Sequence, residues 1–214
     1  TLMRWKYASQ AHRDQTNIET TVKAEIYAFS HPRRLSGLIL RDTWACGFRG
    51  TLRVLKNIIT STRIQPDFDR QVRVWSGSVR DSAEGAKALA EIVPIYSPEK
   101  EDTPGKQDLG FEGTGGYFQM RWEVHNAAWS YCVPRFDVRQ RLREIKIPTL
   151  VIVGRHDPIC STEESEEIHR GIRESELSIF EDSGHNPFTD EPVAFQETVG
   201  SFLAKLTEAK SALD

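Results

Sequence analysis

Two residues of this sequence, Asp157 and His185, have both the chemistry and the setting to move a proton. Asp157 stands in Gly154-Arg155-His156-Asp157-Pro158-Ile159, just past the apolar run Pro148–Gly154. His185 stands in Ser183-Gly184-His185-Asn186-Pro187-Phe188, just past a second run, Glu176–Phe180. A carboxylate beside an imidazole orients the ring and stabilises the imidazolium formed when it takes a proton, as a base activating a nucleophile must. The plainer alternatives are a turn or helix-capping aspartate and a surface-turn histidine after Gly184. A metal reading of His156, Asp157 and His185 lacks a third well-spaced ligand.

For the two loops to meet, the runs before them must be neighbouring strands of a parallel sheet, where sites form outside the carboxyl ends. Three segments read as such strands: Leu35–Arg41, Pro148–Gly154 and Glu176–Phe180. Between the last two, Ser161 or Thr162 caps a helix running from Glu163 to about Gly171, with acidic residues in its first turn where the dipole favours them. Asp190 and Pro192 open a final helix through Leu206, its apolar stripe made by Val193, Phe195, Val199, Phe202, Leu203 and Leu206. Strand and helix alternating in this way is α/β grammar.

Residues 44–134 depart from that grammar. They read as helices over Leu52–Ser61, Pro66–Gly77, Ala83–Tyr96 and Tyr117–Tyr131 with no strand, the last two separated by a polar loop that leads to Gly113-Thr114-Gly115-Gly116. A helical insert between consecutive sheet strands reads as a lid, which divides the chain into a core of residues 1–43 and 135–214 and a lid of 44–134. Phe118, Trp122, His125 and Trp129 share roughly one face of the last lid helix. With Trp44 at the lid boundary, Trp122 and Trp129 are candidates for an apolar roof over a ligand; packing of lid onto core is the alternative. Near the start, Met3, Trp5 and Tyr7 alternate with Arg4 and Lys6, a period-two pattern that suits an edge strand over Leu2–Ala8.

The chain carries 28 Lys and Arg against 31 Asp and Glu, a balance that points away from nucleic acid or an anionic membrane as its main partner. No apolar run approaches the roughly 18 residues of a membrane span. Three cysteines, Cys46, Cys132 and Cys160, imply no disulfide framework and suit a reducing cytoplasm.

Residues 24–43, residues 136–206 and their Asp and His loops together resemble the α/β-hydrolase superfamily, in the flavour of its proline-iminopeptidase-like branch. The resemblance implies an α/β fold, here a partial α/β-hydrolase parallel sheet with a helical lid insertion. It also implies a serine-type hydrolase of small esters, amides or short peptides that uses no cofactor, with Asp157 and His185 as acid and base in the family's order. By the same likeness, Glu123 and Glu112 could recognise a substrate amino group, as lid acids do in proline iminopeptidases, although solvated helix carboxylates are the plainer reading of both. One departure is as informative. The family's Gly-x-Ser-x-Gly elbow should fall near Thr16-Asn17-Ile18-Glu19-Thr20, and no such motif occurs in the 214 residues. The expectation is therefore a chain that is incomplete or inactive alone. The rival readings are a non-catalytic binding protein and a fragment without independent function. A sheet lacking its next strand would leave Leu35–Arg41 with an apolar edge open to self-association, unless Leu2–Ala8 covers it.

Overall fold

The computed structural model describes residues 17–98 and 121–211. Its centre is a three-stranded, all-parallel sheet in the order β1 (Leu38–Arg41), β2 (Thr149–Gly154), β3 (Ser175–Phe180). Register pairs Leu40 with Val151 and Val151 with Leu177. Alternation along the strands feeds two cores. Leu38, Leu40 and Val151 face α1 (Asn17–Ser30), Ile168 of a later helix and Ile172 just past its end, whereas Ile39, Leu150 and Ile152 face the long final helix. All six residues of β2 are buried, which is why that run carries no polar alternation.

Between β1 and β2 come α2 (Gly47–Thr60), α3 (Phe68–Ser76), α4 (Ser82–Ile92), a 3₁₀ turn over Val93–Ile95, α5 (Trp122–Ala127), a π-helical turn over Ala128–Cys132 and the short α6 (Val133–Arg135). Capping chemistry sets several of these bounds. Asp67 and Asp81 accept from the amides of Arg70 and Glu84 at the starts of α3 and α4, and left-handed Gly77 ends α3. Trp44, Val54, Ile58, Val74, Trp75, Ile92, Trp122 and Trp129 build a separate apolar cluster for this segment, which also takes in Ile159 and Cys160.

The β2 strand is followed by α7 (Thr162–Gly171), and β3 by α8 (Pro187–Asp190) and α9 (Pro192–Ser211). Several sequence expectations shift. The first strand is shorter than Leu35–Arg41, because Pro32–Arg34 form a 3₁₀ turn ahead of it. The helix expected over Leu52–Ser61 starts five residues earlier at Gly47. Gly50 is there for proximity, since a Cβ on it would stand 2.2 Å from the Trp44 ring. The final helix continues past Leu206 to Ser211. Ser161 is the N-cap residue of α7, yet its hydroxyl caps no amide and instead accepts from Arg53. Leu2–Ala8, Glu112, Phe118 and the elbow position around Thr16 lie outside the described residues. Among the described residues β1 has a strand neighbour on one side only, β2. No helix among them is long and apolar enough to cross a membrane.

Candidate active site

Adjacent parallel strands release their loops side by side, and the loops after β2 and β3 bring Asp157 and His185 together. His185 Nδ1 lies 2.9 Å from Asp157 Oδ2, within the range expected of an acid–base pair, and both residues are buried. Asp157 is held in turn by its own loop: Oδ1 accepts from the amides of Ile159 at 2.7 Å and Cys160 at 3.0 Å. With Asp157 accepting, His185 carries its proton on Nδ1, so Nε2 is the basic nitrogen. Burial disfavours the charged imidazole, but the charge of Asp157 and its hydrogen bond outweigh that, with a smaller push from Asp42. The net effect raises the proton affinity of His185 above its ordinary value.

The His185 loop is pinned from several sides. The His185 amide donates to the Tyr96 carbonyl at 2.6 Å, and its carbonyl accepts from Arg41 at 3.1 Å. The Tyr96 ring stands edge-on to the imidazole, centroids 5.1 Å apart. Carboxylates at the junction of α8 and α9 hold the approach: Gly184 donates its amide to Asp190, and Ser183 its hydroxyl to Glu191. Gly184 lets the helical segment come close, for a Cβ there would lie 2.1 Å from the Tyr96 carbonyl oxygen.

The other candidate residues are placed differently. Trp44, Trp122 and Trp129 are buried in the helical cluster; Trp129 meets Trp44 and Trp75 edge to face at 5.9 and 4.9 Å, and Trp44 Nε1 donates to the Ile159 carbonyl. Their ring surfaces are thus engaged in packing the segment. His125 is packed as well, with Nε2 2.9 Å from the Val74 carbonyl, and burial lowers its pKa. Glu123 is exposed in the first turn of α5. His156 does not join the pair, but Cys160 does: donor atoms of Asp157, Cys160 and His185 lie within 4.8 Å of one another. One zinc ion would need such atoms about 3.3–3.8 Å apart, given its bond lengths. Both Asp157 oxygens are already in use, and burial, with nearby carboxylates, pushes the Cys160 thiol up and keeps its proton on. The donor set therefore fits an organic acid–base pair better than a metal.

Comparison with known proteins bears on the fold. The family described as TAP-like protein, a group of α/β hydrolases, matches residues 117–211. A proline iminopeptidase of Pestalotiopsis fici is 32% identical over 187 residues, covering 85% of this chain and 63% of the relative. A structure of an α/β-fold hydrolase from Bacillus anthracis superposes with a TM-score of 0.63 at 25% identity, covering 86% of this chain and 64% of that one. These likenesses relate the chain to the α/β-hydrolase superfamily. Within it, the relationship is to proline-iminopeptidase-like members. A pimeloyl-acyl-carrier-protein methyl ester esterase of Neisseria meningitidis is also similar, 27% identical over 61% of this chain and 40% of its own length. The chain spans less than two thirds of the length of each of these relatives.

Sequence reasoning missed three residues beside the Asp157–His185 pair: Arg41, Asp42 and Tyr96. The signal for Arg41 and Asp42 was present, two charges immediately after an apolar strand, on the side of the sheet where the other two loops emerge. Tyr96 left no signal, because its role there rests on its main-chain carbonyl and on packing.

Proposed function

We propose that Asp157 and His185 are the acid and base of a serine-type hydrolase acting on a small ester, an amide or a short peptide. The observation that carries this reading is the 2.9 Å contact between two buried side chains at the carboxyl ends of adjacent parallel strands. In the reaction, His185 Nε2 takes the proton of an attacking hydroxyl and returns it to the leaving group, while Asp157 holds the ring and balances the imidazolium. The helical segment 44–134 acts as a lid over that chemistry. Kinship with proline iminopeptidases favours an amino-terminal prolyl peptide or amide, and kinship with an ester hydrolase favours a carboxylic ester.

The attacking group is the open part of the site. With no Gly-x-Ser-x-Gly among the 214 residues, the chain alone is expected to show only background hydrolysis of p-nitrophenyl esters and proline p-nitroanilide. A product translated from the encoding DNA with its upstream sequence is expected to hydrolyse one of them and to lose that activity in His185→Ala. Phosphonate labelling of the 214-residue chain at one of its own residues, abolished by His185→Ala, would overturn the missing nucleophile. No turnover by either product would leave the second reading, a non-catalytic binder beneath the helical segment, which the absent elbow favours.

A further inference from the structure

Arg41 and Asp42 are consecutive, and in a regular strand consecutive side chains point to opposite faces. They nevertheless form an ion pair, because Asp42 adopts a positive φ of 48° that turns the backbone at the end of β1 and brings its carboxylate back beside the guanidinium. A non-glycine residue held there carries backbone strain. Both residues are at least nine-tenths buried, and Asp42 Oδ1 has no hydrogen-bond partner among the described residues. A pair built this way is a poor source of stability, since burying each ion costs much of its hydration. What it does have is a third contact. The Arg41 guanidinium donates to the His185 carbonyl at 3.1 Å and lies over the Phe188 ring, 4.9 Å from its centroid, in the turn that follows.

We propose that Arg41 and Asp42 form a clamp that positions His185 and sets the charge around its imidazole, an inference that rests on reading His185 as the base. Arg41 is the positioning residue, acting through the His185 main chain, and Asp42 fixes Arg41. The titratable and charged groups around the imidazole are Asp157 after β2, Arg41 and Asp42 at the end of β1, Tyr96 from the helical segment and Cys160 before α7. Of the clamp pair, Asp42 favours the imidazolium and Arg41 opposes it, with Asp42 the stronger. Burial, offset by Arg41 and reinforced by Asp157, pushes Asp42 itself up to about 7. Asp42 and His185 each shift the other's proton affinity, so a change at one is read at the other.

The test is nitrogen-15 NMR of the imidazoles in the 214-residue chain, with His185 assigned by the signals lost in His185→Gln. Two quantities are read: the His185 titration midpoint and the downfield Nδ1–H proton resonance of its bond to Asp157. Asp42→Asn, nearly isosteric, is expected to lower the midpoint by about one unit and to keep the resonance. Arg41→Met is expected to broaden or erase the resonance, because the loop has lost its donor. An unmoved midpoint in Asp42→Asn, or an intact resonance in a folded Arg41→Met, overturns the clamp. Should circular dichroism show that Arg41→Met is unfolded, the Asp42→Asn midpoint decides alone. A wild-type chain without the downfield resonance would overturn the Asp157–His185 pair itself, so the two failures are told apart.

Discussion

The strand ends and the helical segment bury their polar groups with different emphasis. At the ends of β1, β2 and β3 the polar side chains are tied largely to main-chain atoms: Asp157 to the Ile159 and Cys160 amides, Arg41 to the His185 carbonyl. In the helical segment, polar side chains also tie to one another along helix faces, as in Gln71 with Trp75 and Glu91, or Arg73 with Glu84. Main-chain anchoring makes the first region specific in position, and side-chain pairing around an aromatic core makes the second specific in packing. The difference implies that substitutions in one region should read out as proton chemistry and in the other as stability.

The sharpest way to break that contrast is catalytic. In a product that does hydrolyse substrate, Asp157→Asn is expected to cut kcat by roughly 10⁴-fold while thermal stability changes little, because the wrong imidazole tautomer is then favoured. A loss under tenfold would sink the role of Asp157. Next in size, Trp129→Ala should cost about 3–5 kcal/mol in urea unfolding by emptying the centre of the helical cluster, while the Asp157–His185 pair stays formed by NMR. If the His185 resonance disappears as well, the two regions are not separable.

Gly184→Ala probes their junction. Its methyl must push the Tyr96 carbonyl away, and a loss of about 1–3 kcal/mol is expected together with a disturbed His185 amide signal. Stability lost with an unaltered amide would show that the Tyr96 contact does not govern the base. The smallest effect concerns Glu164, whose buried carboxyl has no hydrogen-bond partner among the described residues and which burial pushes up to about 7 against the pull of Arg53 and Arg49. A carboxyl raised in the folded state binds its proton more tightly there than in the unfolded chain. Its contribution therefore declines as pH rises from about 4.5 through 7 and is flat above. Relative to wild type, Glu164→Gln should gain on the order of 1 kcal/mol between pH 5 and pH 8, measured by urea midpoints. A difference that is constant with pH would rule out this titration.

Much of the core was legible because β2 is an unbroken apolar run and α9 repeats Phe195, Val199, Phe202 and Leu206 at helical spacing. Asp157 and His185 stood out because strand-then-loop grammar predicts where side chains converge. The start of α2 was hidden by Gly47 and Gly50, whose low helix propensity is overridden by close packing on Val133 and Trp44. The π-helical turn at Ala128–Cys132 has no local signature. The Arg41–Asp42 pair was obscured by its own geometry, since alternation places consecutive strand residues on opposite faces until a positive φ intervenes.

The parallel pairing of β1 with β2 also bears on the order in which contacts can form. Arg41 meets His185 across 144 residues and Trp44 meets Ile159 across 115, whereas α3 and α4 close on contacts about a tenth as distant, such as Arg73 with Glu84. Long loops cost more entropy to close, and topologies dominated by distant contacts fold slowly. The helical hairpins between the strands can therefore form before the sheet exists. The imidazole acquires its neighbours only when these long closures are made, so the helical hairpins are expected to form before the site does.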